Sequence, residues 1–145
     1  NPSPSVLIIK FEFMKLLFSY NTEKDIENFI KVAESVNNPK PTKLHNLYTK
    51  KFGENIEIIK VRKFIESYIK KNNIDVEERI RVIKVKWLTI ESKFIKKVEE
   101  IFGIQYPKEI IEVFLTTNSC CTYNIESGYF FVDMQNKNAN NINYA

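Results

Sequence analysis

A chain of 145 residues with 43% hydrophobic and 13% aromatic side chains can bury a real core, which excludes global disorder and fits one compact domain. Its three glycines, Gly53, Gly103 and Gly128, leave no room for a phosphate-cradling glycine loop, so the common nucleotide folds are excluded. The net charge of +4 is mild and unevenly spread, with 13 Lys and Arg against 8 Asp and Glu in residues 1–74 and 9 against 10 in residues 75–145.

In chain order, the opening NPSPSVLIIKFEFMKLLF is apolar but interrupted by Lys10, Glu12 and Lys15, and no small-residue cleavage pattern follows. No run reaches the ~18 apolar residues that span a bilayer. A cytoplasmic protein without a membrane partner is the expectation. Asn1 is no natural start, which reads as a processed or trimmed chain, with Met14 an alternative opening.

Residues 6–20 alternate, with Ile9, Phe11 and Phe13 on one face and Lys10 and Glu12 on the other, which predicts a half-buried strand. Thr22 reads as the N-cap of a helix carrying Asp25, Ile26, Phe29, Ile30 and Ala33. Pro39 and Pro41 make residues 37–42 a loop. Thr42 can cap a short helix with Leu44, Leu47, Tyr48 and Phe52 on its apolar side, closing at Gly53. A further helix carries Ile58, Val61, Phe64, Ile65, Tyr68 and Ile69, its lysines gathered near the C-terminus where they suit the dipole.

The longest periodic element covers residues 75–102. Asp75 caps it, Ile80, Ile83, Trp87, Ile90, Phe94, Val98 and Ile101 recur at threes and fours, and Gly103 follows. At 1.5 Å per residue it would run ~40 Å and serve as the spine of the fold. Residues 110–117 and 128–134 are rich in β-branched and aromatic types and predict two strands joined by a cysteine-containing loop. Together these elements predict a single α+β domain over 1–134, a small antiparallel sheet of three or four strands packed on a helical layer, followed by an Asn-rich tail over 135–145.

Chemistry has few candidates. Cys120 and Cys121 are adjacent, so a bond between them would close a strained ring, and a zinc site needs about four ligands. They read as loop thiols partly tucked against the sheet. His45, the only histidine, lies beside an apolar stripe without a thiol or carboxylate partner and is given no catalytic role. Trp87 falls on the core stripe. Consecutive acids such as Glu77 and Glu78 project to different sides of a helix and cannot act as a glycosidase pair. Lysines and arginines flank one inter-helix turn, and Lys60, Lys63, Lys84 and Lys86 form the candidate nucleic-acid patch, diluted by Glu57, Glu66, Glu77 and Glu78.

The stretch from Trp87 through IESKFIKKVEEIFGIQYPKEIIEVFLTTNSCCTYNIESGYFFVD resembles, over about residues 85–134, the segment upstream of the active-site helix in small gluzincin-type zinc metallopeptidases. The likeness is one of element order and apolar spacing: a helix, a Pro-containing link, a strand, an irregular loop and another strand. In that family the next element carries HExxH. Here no HExxH exists and no histidine follows position 45, so no catalytic or metal residue is carried over and no cofactor is expected in this chain. The resemblance implies a truncated or degenerate relative, a non-catalytic domain. Its expected peptide- or protein-binding site is an edge strand and loop comprising Val113, Leu115, Thr117, Cys120 and Tyr123. Nucleic-acid binding through the lysine patch is the alternative. An enzymatic role is left open only if the native gene continues into an HExxH helix.

Overall fold

The computed structural model describes residues 6–10, 15–35, 41–89, 93, 100–101 and 110–135. It opens with β1 (Val6–Lys10) and β2 (Lys15–Ser19), paired antiparallel with Val6 opposite Ser19 and Lys10 opposite Lys15. The single strand expected over residues 6–20 is therefore two. Side-chain alternation has the same period in both strands, so it carries no mark of a reversal that lacks glycine or proline. Residues 11–14, between them, lie outside the described residues.

Helix α1 (Thr22–Glu34) starts at the residue expected to cap it, and Asn21, one residue earlier, takes the capping role, its side chain accepting the Lys24 N–H. Helix α2 (Lys43–Phe52) is capped by the Thr42 hydroxyl, which accepts the His45 N–H, and ends at Gly53 with φ of 89°, a conformation open to glycine. Helix α3 (Ile58–Lys71) leads through Asn72 and Asn73 to α4 (Val76–Thr89), where Asp75 accepts the Glu78 N–H as expected. Residues 93, 100 and 101 are helical, and the rest of the predicted helix to 102 lies outside the described residues, as do residues 102–109 and 136–145 of the expected link and tail.

The α+β class holds. The sheet is completed by β3 (Ile110–Thr116), β4 (Tyr123–Asn124) and β5 (Tyr129–Asp133), and its order is β1-β2-β3-β5-β4. It is mixed rather than antiparallel, and among the described residues has five strands rather than three or four: β2, β3 and β5 run parallel, while β1 and β4 pair antiparallel at its two ends. The physical reason is the connection between β2 and β3. It contains helices α1 to α4, ample length for the crossover a parallel pair needs.

Helices cover both sheet faces, as parallel strands require. On one face Leu16, Phe18, Ile111, Val113, Leu115, Phe130, Val132 and Met134 pack against Ile80, Ile83 and Trp87 of α4. The strand register explains this row, since Phe18 lies opposite Val113 and Val113 opposite Phe130. Trp87 stacks on Phe130 at 6.1 Å and meets the Phe18 ring edge-on at 5.5 Å, the core role its spacing predicted. On the other face Phe114, Tyr129 and Phe131 form a smaller cluster with Cys121. Helix α1 lies over that face and also contributes Ile26 and Phe29 to a helical core with Leu44, Tyr48, Val61, Phe64 and Ile65.

Candidate functional site

The strand expected to offer a free edge sits in the middle of the sheet. β3 pairs with β2 on one side and β5 on the other, so its backbone groups are committed and no extended peptide can add there. Val113 and Leu115 are fully buried and Thr117 is nearly so, while Cys120 is half-buried and forms no disulfide. Of the five predicted residues only Tyr123 lies at an outer strand, on two-residue β4, and it is 55% exposed. The physical reason lies in the β3 sequence itself: VFLTT is apolar or small on both faces, the signature of a strand covered on both sides.

The polar residues that end β3 instead form a buried cluster with α1. Asp25 is fully buried and accepts hydrogen bonds from Tyr20 Oη at 2.8 Å, Thr116 Oγ1, Thr117 Oγ1 at 2.8 Å and the Thr117 N–H at 3.2 Å. One turn on, Asn28 donates to Thr116 Oγ1 and the Cys120 carbonyl, both at 3.0 Å, and its Oδ1 accepts from the Thr122 N–H and hydroxyl. Burial pushes the Asp25 carboxyl above its ordinary value, against the lowering effect of the Thr116, Tyr20 and Thr117 hydrogen bonds. Burial likewise pushes Tyr20 and the Cys121 thiol upward, so Cys121 is held as a thiol and not as a nucleophilic thiolate.

Every polar atom of Asp25 and Asn28 is thus occupied by protein, and the cluster ties the cysteine loop to α1 rather than presenting chemistry. Neighbouring Asn118 is buried, with neither side-chain polar atom hydrogen-bonded. Sequence reasoning passed over Asn28 and placed Asp25 only in the first turn of its helix. The signal was there: positions 25, 28 and 32 fall on one helical stripe, and that stripe faces a strand ending in two threonines and an asparagine.

The other predicted residues do not converge. His45 is half-buried and stacks on Phe29 at 6.0 Å, as an aromatic filler at the edge of the helical core. Lys60 is engaged by Glu57 at 2.5 Å, which raises its pKa. Lys60 and Lys63 belong to α3, in the helical layer beyond α1, whereas Lys84 and Lys86 belong to α4 across the sheet. The two pairs are thus carried by helices that pack into different hydrophobic clusters. Among the described residues no group of three or more His, Cys, Asp or Glu could hold a metal ion, and no helix is long and apolar enough to cross a membrane.

What the helices do build is a groove. Between α2 and α3 lies an open cleft of about 520 Å³ lined by Lys43, Leu47, Lys51, Phe64, Tyr68 and Lys71 together with Ser67 and Asn72. Leu47, expected on the core side of α2, is 38% exposed here, because Leu44 and Tyr48 take the inward direction and Leu47 points about 100° away from Tyr48. Lys43 and Tyr68 also border a smaller cavity of about 240 Å³ that reaches Thr117, Ser119, Asp133 and Gln135 at the carboxyl end of the parallel strands. The Tyr68 hydroxyl donates to Gln135 Oε1 at 3.1 Å across that boundary. No family model, curated protein or solved structure matches the chain.

Proposed function

We propose that this chain is a non-catalytic protein-binding domain whose binding surface is the α2–α3 groove. The observation that carries the reading is the groove's lining, where an exposed leucine and two aromatic rings lie among three lysines that form no ion pair among the described residues. Ligand sites combine such an apolar floor with a few convergent polar groups. The reading keeps the expectation of a peptide or protein partner and moves its site from the β3 edge to the helices. The likeness of residues 85–134 to a peptidase segment is compatible with it, since a binding groove needs no HExxH.

The test is a random peptide display library selected on the immobilised chain, followed by titration of the ¹⁵N-labelled protein with enriched peptides. Shifts are expected at Leu47, Lys51, Phe64, Tyr68 and Lys71. Failure to enrich any peptide, or shifts confined to other surfaces, would overturn the reading.

A further inference from the structure

Helix α2 holds three lysines and no acid, and its first turn contains Lys43 without any Asp or Glu. A cation there faces the positive end of the helix dipole and costs stability. The last-turn lysines, Lys50 and Lys51, suit the opposite end of the dipole, so Lys43 is the one that helix electrostatics leaves unexplained. Five cations elsewhere are neutralised locally: Lys24 and Lys31 meet Glu27, Lys60 meets Glu57, Arg62 meets Glu23 and Arg81 meets Glu78. Among the described residues the lining of the groove contains no acid.

Lys43, Leu47 and Lys51 are spaced i, i+4, i+8, which sets them along one stripe with the two lysines ~12 Å apart. Facing them, Phe64, Tyr68 and Lys71 follow the equivalent stripe of α3. An apolar residue midway between two lysines, with no acid among the described residues of the groove lining, is a pattern with a complement. We infer that the groove takes an acidic amphipathic helix of a protein partner, with one apolar side chain seated on Leu47 and Phe64 and carboxylates four residues to either side meeting Lys43 and Lys51. A helix laid along α2 repeats the same rise, so its charges fall in register with the lysines. This inference rests on the groove being a protein-binding surface, and adds the chemistry of the ligand.

The experiment uses the full chain and fluorescence anisotropy with a labelled helix-forming peptide carrying Glu, Leu and Glu at i, i+4 and i+8. Companion probes replace both Glu by Gln, or Leu by Ala, and a single-stranded oligodeoxynucleotide serves as the polyanion comparison. Binding of the acidic peptide is expected to fall at least about tenfold with either peptide change, and as much with Lys51→Glu or Leu47→Ser in the protein. Raising ionic strength from about 0.05 to about 0.5 M should weaken binding without abolishing it, because the apolar anchor is not screened. Both protein variants change exposed residues, and an unchanged urea midpoint verifies that they fold.

Equal affinity for the Gln peptide would overturn the acidic inference while leaving protein binding intact. Tighter binding of the oligonucleotide, insensitive to Leu47→Ser, would replace it with a nucleic-acid site. No binding by these peptides or by any library peptide would bring down both the inference and the reading beneath it.

Discussion

Asp25 shows how much a single buried carboxyl organises. It draws Tyr20, Thr116 and Thr117 onto one residue of α1 and so fixes where that helix sits on β3. Because its folded pKa is raised above the ordinary 3.8, the folded state holds a proton that the unfolded chain releases. The stability linked to Asp25 is therefore fully present below about pH 3.8 and is lost as pH rises through the raised folded value. Asp25→Asn keeps the shape but turns a donor amide toward donors, and should cost about 1–3 kcal/mol. Urea unfolding of both proteins across a pH series checks the sign. The advantage of the natural residue over Asn should be largest in acid and shrink toward neutral pH, and a growing advantage would mean that hydrogen bonding outweighs burial. Glu27 has the opposite sign: burial raises its pKa, but the Tyr129 hydroxyl and Lys24 outweigh that and lower it, so its contribution is lost as pH falls.

At the scale of elements, most helices were legible because caps and apolar spacing are local. α2 illustrates both the success and its limit. Its start at Thr42 and end at Gly53 follow from side-chain capping and a left-handed glycine, chemistry confined to a few neighbouring residues. Thr42→Ala removes the hydroxyl that holds the His45 N–H, and should cost about 1 kcal/mol, read from the urea midpoint. Because the same turn carries Lys43, this variant should also weaken any ligand of the groove, whereas Asn21→Ala at the start of α1 should lower stability without that second effect. The exposure of Leu47 was not legible. Three apolar residues of α2 compete for one inward direction, and only the position of α3 decides which is left outside.

For the whole molecule, the central parallel strands decide the architecture. They bury β3 from both edges and both faces, which turns the expected peptide-binding edge into the centre of the core. Trp87 is the main link between α4 and that core, in contact with Phe18 of β2 and Phe130 of β5. Trp87→Phe should cost less than Trp87→Ala, for which about 3–5 kcal/mol is expected from the cavity and lost burial. As the only tryptophan in the chain, Trp87 reports the unfolding of the natural protein directly through its emission. Coincidence of that signal with far-ultraviolet dichroism would show that the sheet and the helical layer unfold together.

The amino-acid sequence alone determined the α+β class, the capped helices, the core position of Trp87 and the want of any HExxH. These depend on contacts within one turn or on residue types, and both can be read along the chain. Tertiary structure alone decided that β2, β3 and β5 run parallel, that the helices carrying Lys60 and Lys84 pack into different clusters, and that Lys43, Leu47 and Lys51 face Phe64 and Lys71 over a cleft. Each of those outcomes depends on how segments tens of residues apart are brought together, and a periodic pattern records which face of an element is buried but not what buries it.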